Sequence, residues 1–88
     1  MEFDWDPDKA AKNARKHDVT FEVATRVFLD GFRFETDEED DDDGMRYNVV
    51  GMVDSRLLHV TYTMRFGIHR IISARAAEPH ERRKYHEI

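Results

Sequence analysis

Residues 57–85, LLHVTYTMRFGIHRIISARAAEPHERRKY, decide the fold. Leu58, Val60, Tyr62 and Met64 alternate with His59, Thr61, Thr63 and Arg65, a period of two that makes a strand with one apolar and one polar face. Phe66-Gly67 interrupts the run, and glycine supplies the positive φ of a hairpin turn. The chain returns as a second strand ending at Arg75. There Ile72 and Ala74 are expected to continue the apolar side, while His69, Ser73 and Arg75 point the other way. Pairing the two strands puts His59, Thr61, Arg65, Ser73 and Arg75 on one sheet face. Guanidinium, imidazole and hydroxyl groups gathered on one surface suit the holding of phosphate. Pro79, a favourable first helical residue, then opens a short helix on which Glu81 and Tyr85, four apart, share a face.

Upstream of this stretch, Met45 to Val53 reads as a further strand. Tyr47, Val49, Gly51 and Val53 turn toward the core, and Arg46, Asn48, Val50 and Met52 turn away. Phe32 to Thr36 is a short strand with alternating phenylalanines. Between them lies Asp37 to Asp43, DEEDDDD, closed by Gly44. Like charges in a row repel one another and predict a mobile loop. The run lacks the alternate spacing and terminal glutamate of a calcium loop, so no dedicated metal site is expected. It is placed either to screen a basic face or to steer a basic partner.

The N-terminal part reads as a short edge strand, Glu2 to Trp5, followed by two helices. Asp6-Pro7 starts the first, which runs to about His17. Its inner stripe is thin: Ala10, Asn13, Ala14 and His17. Lys9, Lys12, Arg15 and Lys16 make a basic strip, whose simplest reading is a solvated face. Asp18 ends this helix, and Thr20 caps the next. The second helix reaches about Leu29, with Phe21, Ala24, Val27 and Phe28 facing the core and Asp30-Gly31 stopping it.

Eighty-eight residues make one small domain, 1–88, with a single core. There is no apolar run long enough for a membrane span and no basic-then-apolar leader, so a cytoplasmic protein without membrane contact is expected. The absence of cysteine excludes disulfides and a thiolate zinc site, and no cofactor is expected. The net charge of −5 argues against a non-specific nucleic-acid binder, yet the charge is unevenly spread. Residues 1–44 hold 15 acids and 6 bases, whereas residues 45–88 hold 4 acids and 8 bases. Such asymmetry suggests an anionic partner, or simply acids in loops and bases on strand faces.

The pattern resembles the BrnT family, ribonuclease toxins of BrnT–BrnA toxin–antitoxin pairs. The resemblance rests on Phe3-Asp4-Trp5-Asp6-Pro7-Asp8-Lys9, Asn13, Lys16-His17, Val19-Thr20-Phe21-Glu22 and Val27-Phe28. It continues through Arg46-Tyr47, Gly51, Leu57-Leu58-His59-Val60, Arg70-Ile71-Ile72-Ser73-Ala74-Arg75 and Glu81-Arg82-Arg83-Lys84-Tyr85. The order and spacing of these pieces together carry it, not any one motif. Two departures stand out: the family usually has glycine at the position of Asp18, and the loop Asp37 to Asp43 is unusually acidic. The resemblance implies an α+β, RelE-like fold: two N-terminal helices on a mostly antiparallel sheet of about four to five strands, then a short C-terminal helix. It further implies RNA cleavage that blocks translation, and neutralisation by a ribbon-helix-helix antitoxin of the BrnA type. That antitoxin would make the contact with DNA, and two toxins with two antitoxins would form a heterotetramer.

Metal-free RNA cleavage needs a base for the 2′-hydroxyl, cations for the charged transition state and a proton for the leaving 5′-oxygen. Arg46, Arg65, Arg75 and Arg82 are expected to surround the scissile phosphate, with Ser73 beside them. Glu81 is the first candidate base and His59 the second, and Tyr85 is placed to donate a hydrogen bond or stack on a base. Each has a plainer reading: Glu81 paired with Arg75 or Arg82, Arg75 holding the last helix, His59 filling a half-buried site, Tyr85 packing. His69 and His80 lack a third ligand at useful spacing. The alternative function is a catalytically inactive module that serves as antitoxin partner and co-repressor.

Overall fold

The computed structural model describes residues 1–41 and 44–87. In chain order it runs β1 (Glu2–Asp4), α1 (Pro7–His17), α2 (Phe21–Ala24) continued by a 3-10 turn over Thr25–Leu29, and β2 (Phe34–Glu35). Then follow β3 (Glu39–Asp41), β4 (Gly44–Val53), β5 (Arg56–Arg65), β6 (Ile68–Ala76) and α3 (Pro79–His86). The class is α+β, with a mixed sheet of six strands where four to five were expected. The strand order is β1-β6-β5-β4-β2, with β3 also on β4. Only β1–β6 is parallel among these pairings; the rest are antiparallel.

The helix starts follow their caps. The Asp6 carboxylate accepts the Asp8 N–H at 2.9 Å, and Thr20 Oγ1 accepts the Val23 N–H at 3.2 Å. Asp18 closes α1 in the left-handed region, φ 57° and ψ 36°, with its N–H on the Ala14 carbonyl. Glycine takes that backbone without a Cβ clash, and a carboxylate is poorly placed at the negative end of a helix dipole. Asp18→Gly is therefore expected to stabilise the fold by about 1 kcal/mol, read as a melting temperature raised by about 4–8 °C. The hydrogen bond from Arg56 Nη2 to the residue-18 carbonyl, 2.9 Å, survives the change because it is made by backbone.

One face of the sheet packs on α1, α2 and the 3-10 turn. Val19, Phe21, Ala24, Val27 and Phe28 meet Val49, Val53, Leu58, Val60, Tyr62, Ile71 and Ala74. The alternation read for β4 and β5 holds. That for β6 fails in its first half, because Thr61 pairs with Ser73 while Tyr62 pairs with Ile71. Ile72 is thus an extra residue, a β-bulge, and it reverses the facing of everything before it. Ile71, not Ile72, is buried in the core. His69 leaves the polar face and packs against Phe3, Phe28 and Tyr62 at ring centroid distances of 5.4, 5.1 and 5.2 Å. Arg70 takes its place on the polar face, opposite Thr63.

Two further expectations are corrected. The strand expected over Phe32–Thr36 is only Phe34–Glu35, and Phe32 is exposed. The acidic run is not wholly loop: Glu39–Asp41 pairs antiparallel with the start of β4, Glu39 opposite Arg46, so backbone bonding and opposed charges offset the repulsion within the run. Asp42 and Asp43 of that run lie outside the described residues. At the β5–β6 tip both turn residues have positive φ, Phe66 at 50° and Gly67 at 79°.

Candidate active site

Among the described residues, the second sheet face is covered at one end only. There α3 lies over Val50, Leu57 and Ala77, with Phe34, Met52 and Tyr85 packed around them. The helix is fastened through Asp30. Asp30 Oδ2 accepts the Tyr85 hydroxyl at 2.5 Å and the Met52 N–H at 2.7 Å, and Oδ1 accepts the Phe32 N–H at 2.9 Å. Burial would raise the Asp30 pKa, but these three bonds and the nearby Arg33 charge outweigh it and lower the value. The same contact with Asp30, aided by burial, pushes the Tyr85 hydroxyl up to about 12. Tyr85 thus holds α3 in place with its hydroxyl committed inside the protein.

Beyond α3 the face becomes polar. His59 pairs in register with Arg75, Thr61 with Ser73, and Thr63 with Arg70, so three rungs of polar side chains lie side by side. At the α3 edge an open depression of about 400 Å³ is lined by Asn48, His59, Arg75, His80, Glu81 and Lys84. Arg75 and Glu81 meet fork to fork, Nη1 to Oε1 at 2.9 Å and Nη2 to Oε2 at 3.2 Å. Glu81 Oε1 also accepts the Glu78 N–H at 2.8 Å, which starts α3. Burial would raise the Glu81 pKa, but the Arg75 fork, the Glu78 N–H and the charges of His59 and Arg75 together lower it.

His59 Nε2 lies 3.7 Å from Glu81 Oε2, too long for a hydrogen bond. Its Nδ1 is buried with no hydrogen-bond partner among the described residues. Burial and the Arg75 charge hold the imidazole pKa below 6.5 against the opposing pull of Glu81, so the ring is neutral at pH 7. The depression therefore places an uncharged imidazole, a positioned guanidinium and an ionised carboxylate within one small volume.

The expected site residues fall into separate groups. His59, Arg75 and Glu81 come together. Arg46 and Arg65 lie further along the face, toward the β5–β6 tip, in a shallow depression of about 40 Å³ with Lys9, Thr63 and Arg70. Ser73 sits between the two groups, on the rung shared with Thr61. Arg82 is exposed on α3 and does not line either depression, and Tyr85 lies in the packing under α3. Asn48, Arg70, His80 and Lys84 are among the lining residues that escaped the sequence reading. Asn48 was legible from its place in the outward set of β4; it accepts the Thr61 hydroxyl at 2.7 Å. Arg70 was hidden by the bulge, and His80 and Lys84 depend on how α3 docks.

Residues 5–81 match the family described as "Ribonuclease toxin, BrnT, of type II toxin-antitoxin system". The chain belongs to the BrnT family. A comparison with individual curated proteins finds no match. Membership makes this a ribonuclease toxin domain of a type II system, for which an antitoxin is the implied partner. The BrnT match runs from Trp5 to Glu81, and so takes in every element from α1 to the first turn of α3, including His59, Arg75 and Glu81. No helix among the described residues is long and apolar enough to cross a membrane.

Proposed function

We propose that the protein is a metal-independent endoribonuclease that cuts RNA in the His59–Arg75 depression and so blocks translation in the cytoplasm. The observation that carries the reading is the neutral His59 imidazole beside the Arg75 guanidinium at an open, polar end of the sheet. His59 takes the proton from a 2′-hydroxyl. The 2′-oxygen attacks phosphorus, the bond to the 5′-oxygen breaks, that oxygen takes a proton from water at the open mouth, and the hydroxide so formed takes up the proton held by His59. Arg75 holds the non-bridging oxygens as their charge grows. A group with pKa near the working pH makes the better base. Glu81, with a lowered pKa and its oxygens already engaged, is better suited to aim Arg75 than to accept a proton, which reverses the order of candidates drawn from the sequence. Arg46, Arg65, Arg70 and Ser73 bind the flanking phosphates. The RelE-like arrangement, the ribbon-helix-helix antitoxin and the heterotetramer remain part of this reading on the strength of the family resemblance.

The second reading, a non-catalytic partner of the antitoxin, is favoured by one observation. Arg75 is already engaged by Glu81 and by Glu78 at 3.3 Å, and Asp37 and Glu39 line the same depression. Incubating purified protein with total RNA, with and without EDTA, separates the two. Discrete fragments in both samples are expected; intact RNA in both leaves the non-catalytic reading standing. The pH profile tests the base. Protonated His59 cannot accept a proton, so the cleavage rate is expected to rise with pH to a plateau, with its midpoint below pH 6.5. A rate that does not fall on acidification, down to the lowest pH at which the protein stays folded, would remove His59 from the base position.

A further inference from the structure

We propose that the lysines of α1 form a phosphate track that carries single-stranded RNA out of the cleavage depression and along the border of β6 that α1 flanks. This rests on the RNA-cleaving reading of the His59–Arg75 depression and extends it to where the rest of the strand lies. β1 pairs with β6 over Ile68–Arg70, so among the described residues the border from Ile71 onward has no neighbouring strand in the sheet. α1 runs beside that border. A depression of about 230 Å³ between them is lined by Lys9, Lys12, Lys16, His17, Ile72 and Ser73, with the buried Asn13 beneath. Lys9 and Ile72 also line the depression that holds Arg46, Arg65 and Arg70, so the two hollows are contiguous. Ser73 belongs to the rung next to His59–Arg75, which joins the track to the proposed cleavage point.

The charge pattern is what a solvated helix face does not explain. The chain has 19 acidic and 14 basic residues, yet among the described residues lining these two hollows six are lysine or arginine and none is acidic. Lys9, Lys12 and Lys16 stand three and four apart, where like charges repel and cost helix stability. From Lys9 to Lys16 is about 10 Å along the axis. Arg70 is bonded to Asp4 at 3.2 Å, but both side chains are substantially exposed, and such a pair is weak enough to exchange for a phosphate. The bulge at Ile72 is what turns Arg70 onto this side.

The test is a Lys12→Ala/Lys16→Ala double variant, whose alanines keep the helix. The probe is a 20-nucleotide single-stranded RNA with every 2′-hydroxyl methylated, so that it binds without being cut. Each lost phosphate contact lowers the salt dependence, and the slope of log Kd against log salt is expected to fall by about 1.4 for two lysines. Cleavage of an unmodified RNA dinucleotide, whose single phosphate is the one that is cut, is expected to proceed at the rate of the unaltered protein. Equal slopes for variant and unaltered protein would overturn the track. Failure of the unaltered protein to cut an unmodified 20-nucleotide RNA would instead sink the nuclease reading, and the slopes would still decide whether the lysines carry RNA.

Discussion

Replacing Arg75 by alanine is expected to lower RNA cleavage by about a hundred- to a thousandfold, the usual loss when one donor to a developing oxyanion is removed. The side chain also has a structural task, so the rate alone would not identify its role. Without Arg75 the carboxylate of Glu81, a residue only 5 % exposed, is left short of both its hydrogen bonds to a guanidinium. Breaking such a pair from one side costs about 3 kcal/mol or more. The double variant Arg75→Ala/Glu81→Gln removes that stranded charge, while glutamine still accepts the Glu78 N–H. Stability is therefore expected to return in large part, and cleavage is not. Recovery of both would make Arg75 a residue that merely holds α3. The acid limb of stability checks the same pair. Because the Glu81 pKa is lowered in the folded state, its contribution is full above about pH 4.5 and disappears as the pH falls through the folded value. The double variant is expected to lack that part of the acid transition.

What the sequence showed and what it hid divide along physical lines. Alternation in Leu58 to Arg65 and in Tyr47 to Val53 is a local property of extended chain, so both sheet faces were legible there. The bulge at Ile72 was not, because two apolar residues in a row read equally well with either one inward. That single ambiguity misplaced His69 and concealed Arg70. The convergence of His59 with Arg75 depends on the same bulge: the register set at the Phe66-Gly67 turn would place His59 opposite Ala74, and the extra residue Ile72 brings Arg75 there instead. The role of Glu81 was beyond a sequence reading for a different reason. Whether it accepts protons or braces a guanidinium depends on how its helix docks, and the docking is decided by Asp30, 51 positions earlier, through Tyr85 and Met52. The acidic run misled because charge repulsion was weighed without the backbone bonds that β4 offers it.

Asn13→Ala is expected to be the most destabilising single change on α1, although helix propensity alone predicts the opposite sign. Alanine is favoured over asparagine inside a helix by at most about 0.7 kcal/mol. Against that, the Asn13 side chain is 7 % exposed and makes three hydrogen bonds to backbone. Its Nδ2 donates to the Val19 carbonyl at 2.9 Å and to the Ala74 carbonyl at 2.8 Å, and its Oδ1 accepts the Ala74 N–H at 3.1 Å. It therefore ties α1 both to the start of α2 and to the border of β6, where no neighbouring strand can satisfy Ala74. Deleting the amide strands three buried groups at about 1–3 kcal/mol each, so a net loss of about 3 kcal/mol or more is expected. For a domain of this size that is a melting temperature lower by about 12–24 °C. Asn13→Asp separates the two halves of the effect, since it keeps the acceptor for the Ala74 N–H but turns a carboxylate onto two carbonyl oxygens. It is expected to be worse than alanine at pH 7 and to improve as the pH falls and the carboxyl is protonated. Ala74 is flanked by Ser73 and Arg75, so loosening this anchor moves the proposed phosphate-holding strand itself. Cleavage by Asn13→Ala, measured at a temperature where it is still folded, is expected to fall as well. An unchanged melting temperature would mean that water or a shifted α1 satisfies Ala74, and that the register of β6 is held by the hairpin alone.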